Sequence, residues 1–315
     1  MISRIAEQSF WMCRYLERLE TFARSFLATH LFSLDSHEVA FEEFFRLSPL
    51  EKPLYIKIYN SHDTDEELIQ YFRVWQELNP ESLLSLLGNA RANGLLIREI
   101  ISESMWQMIN RLYLWMHSET VKKLYMTDKY NFYTRIIETT QLIKGMYYNL
   151  LLRDEYYHIM SVGLMTERLT QVVLMLDKLN SKEFFAVSAN SQSENNLLKC
   201  LLESFASTQN YLRSGYGMSS TLFAKFFTHD LHAPHALNFI LRDLSMHLSI
   251  LQTELHGFEQ PHLHLKDLAE LFSQLNPSIF LCDKGLETKQ QIFSVIYKMN
   301  EELRNSIFAT EKILV

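Results

Sequence analysis

The chain has 315 residues, a formal net charge of −7 and 47% hydrophobic residues. This hydrophobic content excludes a wholly disordered chain, and the acidic balance argues against a general nucleic-acid-binding protein. Only 8 Gly and 6 Pro are present, where average usage would give roughly 20 and 15. Because sheet-rich proteins use these residues at many turns, we expect an all-α bundle of long helices with few breaks.

The cysteines and the N-terminal residues indicate the compartment. Cys13, Cys200 and Cys282 lie far apart and lack zinc-finger spacing, which favours a reducing environment. Arg4 and Glu7 interrupt any early apolar run, so no signal peptide is expected. We also see no stretch of about 18 apolar residues. The sequence therefore predicts a cytoplasmic protein without a membrane span.

The predicted elements begin with one long helix. Ser3 is a good N-cap, and helical spacing of apolar residues continues to about Leu34. Residues 48–66 contain two prolines and a polar run, which predicts a loop that leads into a helix. Asp63 or Thr64 is expected to cap that helix.

Asn79-Pro80 predicts the next break. Helix is expected to return over about 81–116, with a kink at Gly94. A polar stretch over 181–196 predicts a surface loop rather than a domain boundary. The other predicted helices cover about 129–152, 154–180, 195–228, 234–256, 264–275 and 285–312.

Two pairs of segments are weakly alike. Residues 13–19 and 163–169 share a Leu/Thr-Glu-Arg-Leu pattern at an offset of 150 residues, and the turns at Pro80 and Pro234 lie 154 residues apart. Two matches at nearly one offset suggest a duplicated helical unit. The alternative is an accident of helical apolar patterning.

The similarity predicts how the chain is organised. We expect one domain over 1–315, built from two similar helical halves, 1–150 and 151–315. Glu17 and Glu167 should then occupy equivalent places in the two halves.

Charged residues cluster on the first predicted helix. Glu7, Arg14 and Arg18 fall on one face, with Trp11 beside them. A second polar group on this helix contains Glu17, Glu20 and Arg24. One interpretation is a solvated face with weak ion pairs. The other is a cleft in which arginine forks bind a carboxylate or phosphate.

Two further groups of polar residues are candidates for a site. The first group consists of Arg91, Asn93, Arg98 and Glu99. An Asn inside a predicted helix suggests a hydrogen-bonding role. The alternative is a solvent-exposed helix face. The second group is Arg153, Asp154, Glu155, Glu167 and Arg168. The acidic residues at its start also suit the positive end of a helix dipole without any function.

We predict that the charges of the first helix meet those of residues 91–99 in one partly buried polar cleft, since buried charges must be paired. The expected acceptors are Glu7 and Glu17, and the expected donors are Arg14, Arg18, Arg91 and Arg98.

Histidines recur every third residue at His229, His232 and His235. Such spacing on an unbroken helix would offer metal ligands, but Pro234 interrupts it. We therefore expect a solvated turn, with no metal and no cofactor.

An ordered series of motifs runs through most of the chain. It starts with the run from Ser3 to Glu7 and continues to Arg24. Its later members are residues 79–82, 90–93, 98–102, 105–106, 112–113, 153–155, 163–168, Tyr211, Arg213, Asp230 and Pro234. This series resembles the bacterial α-E family, an all-helical group.

The resemblance implies a setting rather than a reaction. Members are thought to work beside an ATP-grasp-type ligase, often with a transglutaminase-like protease or a proteasome-like hydrolase, in amide or peptide bond formation or processing. No reaction is thereby implied for the α-E chain itself, so catalytic residues and enzyme status stay open. The resemblance favours a shared substrate-binding cleft lined by Glu7, Trp11, Arg14, Glu17, Arg18, Arg24, Arg91, Asn93, Arg98, Glu99, Arg153, Glu155, Glu167 and Arg168.

The sequence departs from the family pattern by losing arginines. Leu95 stands where the family has Arg, Leu164-Met165 replaces two more, and Ala236 and Asn238 lie in a turn that has lost two others. Leu or Met removes both the charge and the fork of an arginine. The first-half site therefore looks better preserved than the second.

Two functions follow. The first is a partner-dependent component of ATP-grasp-linked amide bond metabolism whose polar cleft binds an anionic small molecule or peptide. The second is a non-catalytic helical adaptor that docks an ATP-grasp-type or related protein.

Overall fold

The computed structural model describes residues 3–35, 47, 51–60, 65–181, 184, 190–255, 257–281 and 286–308. Within these residues the chain forms α-helices and one short 3₁₀ helix (Pro277–Leu281), without strands, which confirms the all-α prediction. The α-helices are α1 (Ser3–Asp35), α2 (Glu51–Tyr59), α3 (Glu66–Val74), α4 (Leu83–Leu96), α5 (Glu103–Met116), α6 (Glu119–Thr127), α7 (Lys129–Leu150), α8 (Glu155–Lys178), α9 (Ser191–Ser204), α10 (Thr208–Arg213), α11 (Ser220–His229), α12 (Leu237–Glu254), α13 (Glu259–Gln274) and α14 (Leu286–Phe308).

Helix α1 lies inside the bundle. It contacts α4, α7, α8, α9 and α14, and Met12, Leu19 and Ala23 on its apolar arc are fully buried. Because neighbours surround the helix, its charged side chains also face protein. This enclosure explains why polar residues of α1 are found in the interior.

The closest approach in the core is the crossing of α1 and α8. A Cβ atom added at Gly163 of α8 would lie 2.5 Å from the backbone oxygen of Phe10 in α1. Only glycine lets the two backbones come so near. Glu167 follows Gly163 by one helical turn, so the crossing carries this carboxylate toward the charged face of α1.

The loop predicted over 48–66 is wrong for residues 51–59, which form α2. Pro53 lies in the first turn of that helix, where a missing N–H costs no hydrogen bond. Asp65 caps α3 by accepting from the N–H two residues later at 3.1 Å. The predicted caps, Asp63 and Thr64, lie outside the described residues.

The long helix predicted over 81–116 is interrupted between α4 and α5. The interruption does not occur at Gly94, which lies inside α4. It occurs where Ile97 and Ile101 turn into the core and Ser102 caps α5 through its hydroxyl oxygen, 3.2 Å from the N–H three residues later.

The helix predicted over 195–228 is also divided, into α9, α10 and α11. Buried Ser207 lies at the first break, between α9 and α10. At the second break, after α10, Gly215 supplies a positive φ of 74°. The short helix α6 falls in a segment that no predicted helix covers.

Helix α8 is long and apolar enough, by length and composition, to cross a membrane. Every 18-residue window of this helix contains Glu167 and Arg168, so the helix does not contradict the prediction that no continuous stretch of about 18 apolar residues occurs. Moreover, 78% of its most apolar window is buried within the bundle, as expected of a core helix. The single domain and the repeated halves stay predictions.

Candidate functional site

The chain contains two Glu-Arg dipeptides, Glu17-Arg18 in α1 and Glu167-Arg168 in α8. Each glutamate binds the arginine of the other dipeptide. Arg18 donates to both carboxylate oxygens of Glu167, from Nε at 2.6 Å and from Nη2 at 2.8 Å. Arg168 Nε donates to Glu17 Oε1 at 2.8 Å. The two helices are thus joined by reciprocal ion pairs, called here the Glu–Arg clasp.

Glu167 is fully buried at the α1–α8 crossing. Besides Arg18, it accepts from Arg14, whose Nε lies 2.9 Å from Oε2, and from Gln171, whose Nε2 lies 2.8 Å from Oε1. Burial alone would raise the pKa of this carboxyl, but the two arginines outweigh it and lower the pKa. Glu167 is therefore a carboxylate at neutral pH.

Glu17 is almost as deeply buried and meets a second set of cations. Lys144 of α7 donates a hydrogen bond to it, as Arg168 does. His235 Nε2 lies 4.0 Å from Oε1. Burial opposes ionisation, yet Arg168 and Lys144 hold the pKa of Glu17 well below its usual range.

A third carboxylate extends the network along α1. Glu20 Oε2 lies 2.7 Å from Lys144 Nζ, and Glu20 Oε1 accepts from Arg24 Nε at 2.9 Å. Lys144 therefore bridges two turns of α1. With Glu81, which binds Arg18, the described network contains four carboxylates and five cations, and therefore has one formal positive charge. The carboxylates are Glu17, Glu20, Glu81 and Glu167, and the cations are Arg14, Arg18, Arg24, Lys144 and Arg168.

The fourth carboxylate, Glu81, closes the outer end of the network. Arg18 Nη1 donates to its two oxygens at 2.7 and 3.0 Å. Its side chain is 45% exposed, whereas that of Arg18 is 15% exposed. Desolvation raises the pKa of Glu81 despite the attraction of Arg18. Asn79 holds the backbone here, because its Oδ1 accepts from the Glu81 N–H at 3.1 Å.

The Glu–Arg clasp is poorly suited to acid–base chemistry. A general base works best with a pKa near the working pH, but Glu17 and Glu167 have lowered pKa values and are shielded by arginines. Arg14, Arg18 and Arg168 each already donate to a carboxylate. The arrangement can fix α1 against α8, and it leaves the Arg18–Glu81 end facing solvent.

The predicted meeting of the first-helix charges with residues 91–99 does not occur. Arg91 Nε instead donates to Asn110 Oδ1 at 2.7 Å, and its guanidinium lies 4.6 Å from the centre of the Tyr113 ring. Arg98 and Glu99 follow the end of α4, where both are exposed, and neither forms an ion pair with a described residue. The charged face of α1 is covered by α8 and α7, and this packing supplies its partners.

The other predicted site residues on α1 and α4 lie near the clasp or bond locally. Trp11 stacks on Tyr15 at 5.7 Å between ring centres, and Arg14 lies 5.0 Å from the Trp11 ring. Glu7 is half-buried and makes no hydrogen bond or ion pair within the described part of the chain. Asn93 bonds back to its own helix at the Asn89 carbonyl, 2.8 Å away.

Arg153 and Glu155 lie at the start of α8, away from the charged network. Arg153 donates to the Tyr148 carbonyl at 2.6 Å and stacks 3.9 Å above the Tyr157 ring. Asp154 is the N-cap and Glu155 occupies the first turn. The helix-dipole interpretation accounts for these two acids.

Several members of the network were absent from the predicted site, namely Lys144, Glu20, Glu81, Gln171 and His235. The burial of Lys144 could have been predicted, because it lies between the apolar positions Ile143 and Tyr147 of an amphipathic helix. His235 was predicted in a solvated turn, which is wrong, since its side chain is only 18% exposed beside Glu17. Burial lowers the pKa of His235 well below its usual range. No group of three His, Cys, Asp or Glu in the described residues is arranged to hold a metal ion.

A pocket of about 440 Å³ lies beside α4 and α5 rather than in the clasp. Its lining includes Asn89, Tyr113 and His117, and no arginine or lysine occurs among its described residues. This pocket therefore lacks the cations that an anion site needs.

The fold and site define a class: an all-α bundle closed by buried, reciprocal Glu–Arg pairs. Residues 1–309 match the Alpha-E family, described as a predicted alpha-helical domain with a conserved ER motif. The chain belongs to this family. Neither the curated proteins nor the solved structures include a match.

Proposed function

We propose that the chain is a cytoplasmic helical subunit that docks an ATP-grasp-type ligase in amide or peptide bond metabolism. The Glu–Arg clasp fixes the shape of this subunit. The α-E resemblance supplies the partner class. One observation supports a structural role for the clasp. Each of its carboxylates and arginines already has a partner of opposite charge inside the protein.

The energetics of burial support the same role. A buried charge without a partner costs several kcal/mol, so a network of this depth persists only when its members satisfy one another. A reaction centre needs groups that are free to bind or to exchange protons with a substrate. The clasp instead fixes two core helices in one register.

A co-purification and kinetic experiment tests the docking role. The chain and an ATP-grasp-type ligase from the same genome are co-expressed, and ligase turnover is measured with saturating chain. Glu167→Gln is expected to weaken complex formation by destabilising the bundle, while turnover within the complex stays unchanged. An intact complex with greatly reduced turnover would assign the clasp to the chemistry. Failure of the wild-type chain to bind the ligase would overturn the docking proposal.

A second candidate function is the binding of an anionic ligand by an Arg/Glu-lined cleft. One observation favours it: the Arg18–Glu81 end of the network faces solvent, and Glu81 is 45% exposed. Arg98 and Glu99 lie outside the network, so the supported site is smaller than the sequence predicts. It centres on Arg14, Arg18 and the aromatic pair Trp11 and Tyr15.

A further inference from the structure

Glu81 differs from the other carboxylates of the network in its attachment. It precedes α4 in a turn, whereas Glu17, Glu20 and Glu167 project from long core helices. Ser82 caps α4, with its Oγ accepting from the Ser85 N–H at 3.1 Å. The Glu81 side chain can therefore leave Arg18 without uncapping the helix or unpacking a core element.

The guanidinium of Arg18 is divided between two carboxylates. Nε and Nη2 face the buried Glu167, and Nη1 faces Glu81. The inner pair fixes the orientation of Arg18, so Nη1 stays aimed outward when Glu81 departs. A donor that is held in place by a second bond loses little side-chain entropy when it binds a ligand.

We propose that Arg18 Nη1 is the binding point for the carboxylate of a small ligand carrying an apolar group, and that Glu81 occupies this point when the ligand is absent. This inference rests on the anion-binding candidate above and is independent of ligase docking. Tyr15 lies one turn before Arg18 on the same face of α1 and stacks on Trp11. Both rings are half-buried, and Tyr15 interacts electrostatically with Arg18 and Glu81, so the pair provides an apolar surface beside the carboxylate position.

The observations favour a carboxylate over a phosphate. The resident group is itself a carboxylate, held through both oxygens by one nitrogen. The network has one formal positive charge with Glu81 in place and two when it departs, so a monoanion restores the resident balance. Desolvation that raises the pKa of Glu81 would penalise a dianion more strongly.

Tethering sets the strength of the competition. A group attached to the same chain acts at an effective concentration of about millimolar or more. Free acetate therefore competes poorly with Glu81 in the wild-type chain. A ligand that displaces Glu81 needs the additional contact with Tyr15 and Trp11, and removal of the Glu81 carboxylate should expose the site to simple acids.

Chemical rescue of Glu81→Ala by acetate tests the proposal. Thermal unfolding is measured in sodium acetate and in sodium chloride at equal ionic strength. The melting temperature of the variant should rise saturably with acetate and not with chloride, and the apparent Kd should be at least about tenfold lower than in wild type, because the tethered competitor is gone. Phenylacetate should bind more tightly than acetate by about tenfold, since its ring covers Tyr15.

Glu51→Ala is the matched control. Glu51 of α2 pairs with Arg73 of α3, whose Nε lies 2.8 Å from Glu51 Oε1. The side chain of Arg73 is 19% exposed, close to the 15% of Arg18. Acetate should not rescue this variant to the same degree. Equal rescue of both variants, or no acetate-specific rise for Glu81→Ala, overturns the proposal.

Glu81→Gln covers the case in which the alanine variant does not fold. The amide keeps the shape of the side chain and removes its charge, so acetate should displace it more easily than it displaces the native carboxylate. Binding is read from ¹³C-labelled acetate by NMR. Absence of binding to this folded variant also counts against the site. Neither measurement involves the ligase.

Discussion

At the scale of single residues, the burial of the clasp separates it from an ordinary surface ion pair. An exposed pair contributes about 0–1 kcal/mol, because water and salt screen both charges. Glu17 and Glu167 are shielded from water and held by two cations each. Loss of either carboxylate leaves cations in the interior without their counter-charge.

Glu17→Ala is expected to lower the free energy of unfolding by about 3–5 kcal/mol, because Arg168 would lose its carboxylate partner inside the bundle and Lys144 would keep Glu20 alone. Urea denaturation measures this loss. Glu119→Ala, at a pair whose carboxylate is 83% exposed, serves as the surface control. A loss below about 1 kcal/mol for Glu17→Ala would place the clasp among surface pairs.

A second residue-scale prediction concerns pH. His158 Nδ1 and His247 Nδ1 lie 2.8 Å apart between α8 and α12, and Asp243 Oδ2 lies 3.8 Å from His247 Nε2. Burial lowers the pKa of both imidazoles, and the neighbouring His158 helps to lower that of His247 to about 4. An unfolded histidine has a pKa of about 6.5, so the unfolded chain binds more protons between these values.

The contribution of this pair is therefore complete above about pH 6.5 and declines as the pH falls toward 4, by less than about 1.4 kcal/mol per pH unit for each histidine. Urea midpoints at pH 7, 5.5 and 4.5 should fall less steeply for His247→Gln than for wild type. The exposed His232→Gln is the control. Parallel profiles for wild type and His247→Gln would contradict the prediction.

The residue types of the clasp were predictable, but their partners were not. Glu17, Arg14 and Arg18 share a helix with an apolar arc, so pairing by hydrogen bonds was expected for them if buried. Both α4 and α8 contact α1, and helical spacing holds no information on which of them covers its charged face. Lys144 and Glu81 enter the site only through packing, for the same reason.

At the scale of elements, the helix ends follow local chemistry. The prediction for α1 agrees with its observed end within one residue, because its apolar spacing is long and unbroken. The missed breaks after α4 and α9 lie in sequence without proline or glycine, where Ile97 and Ile101 or Ser207 fix the turn through burial. The missed helix α2 contains Pro53, which the first turn tolerates.

The α1–α8 crossing gives an element-scale prediction. Gly163→Ala should destabilise the chain by about 1–3 kcal/mol or more, because the new methyl group would overlap the Phe10 carbonyl and push the helices apart. Gly145→Ala is the matched control in α7, where a Cβ meets nothing within 4 Å. That change should stabilise the chain by about 0.5–1 kcal/mol. Thermal unfolding of both variants measures the contrast, and equal shifts would contradict the close approach.

At the scale of the whole molecule, the fold class was predictable and the arrangement was not. Scarce glycine and proline with long apolar periodicity predict an all-α bundle, as observed. The internal repeat stays a prediction. The reciprocal binding of Glu17 to Arg168 and of Glu167 to Arg18 is the pattern that two equivalent halves would produce, and it can also arise from any two helices that cross at their Glu-Arg dipeptides.

A truncated chain tests how far the halves depend on each other. Residues 1–150 alone are expected to lack a cooperative thermal transition, because α1 would lose α8, α9 and α14, and Glu17 and Arg18 would lose Arg168 and Glu167. Circular dichroism and hydrogen exchange measure this. A sharp transition with protected amides in α1 would show that the first half folds by itself.

The enclosure of α1 also governs the timing of folding during synthesis. Of the described helices, α1 leaves the ribosome first, yet α8 follows it by about 120 residues and α14 is translated last. Because translation proceeds at about 5–20 residues per second, the apolar and charged faces of α1 stay without their partner helices for many seconds. Nascent chains of this protein should therefore keep the amphipathic helix α1 available to chaperones until α14 has been synthesised.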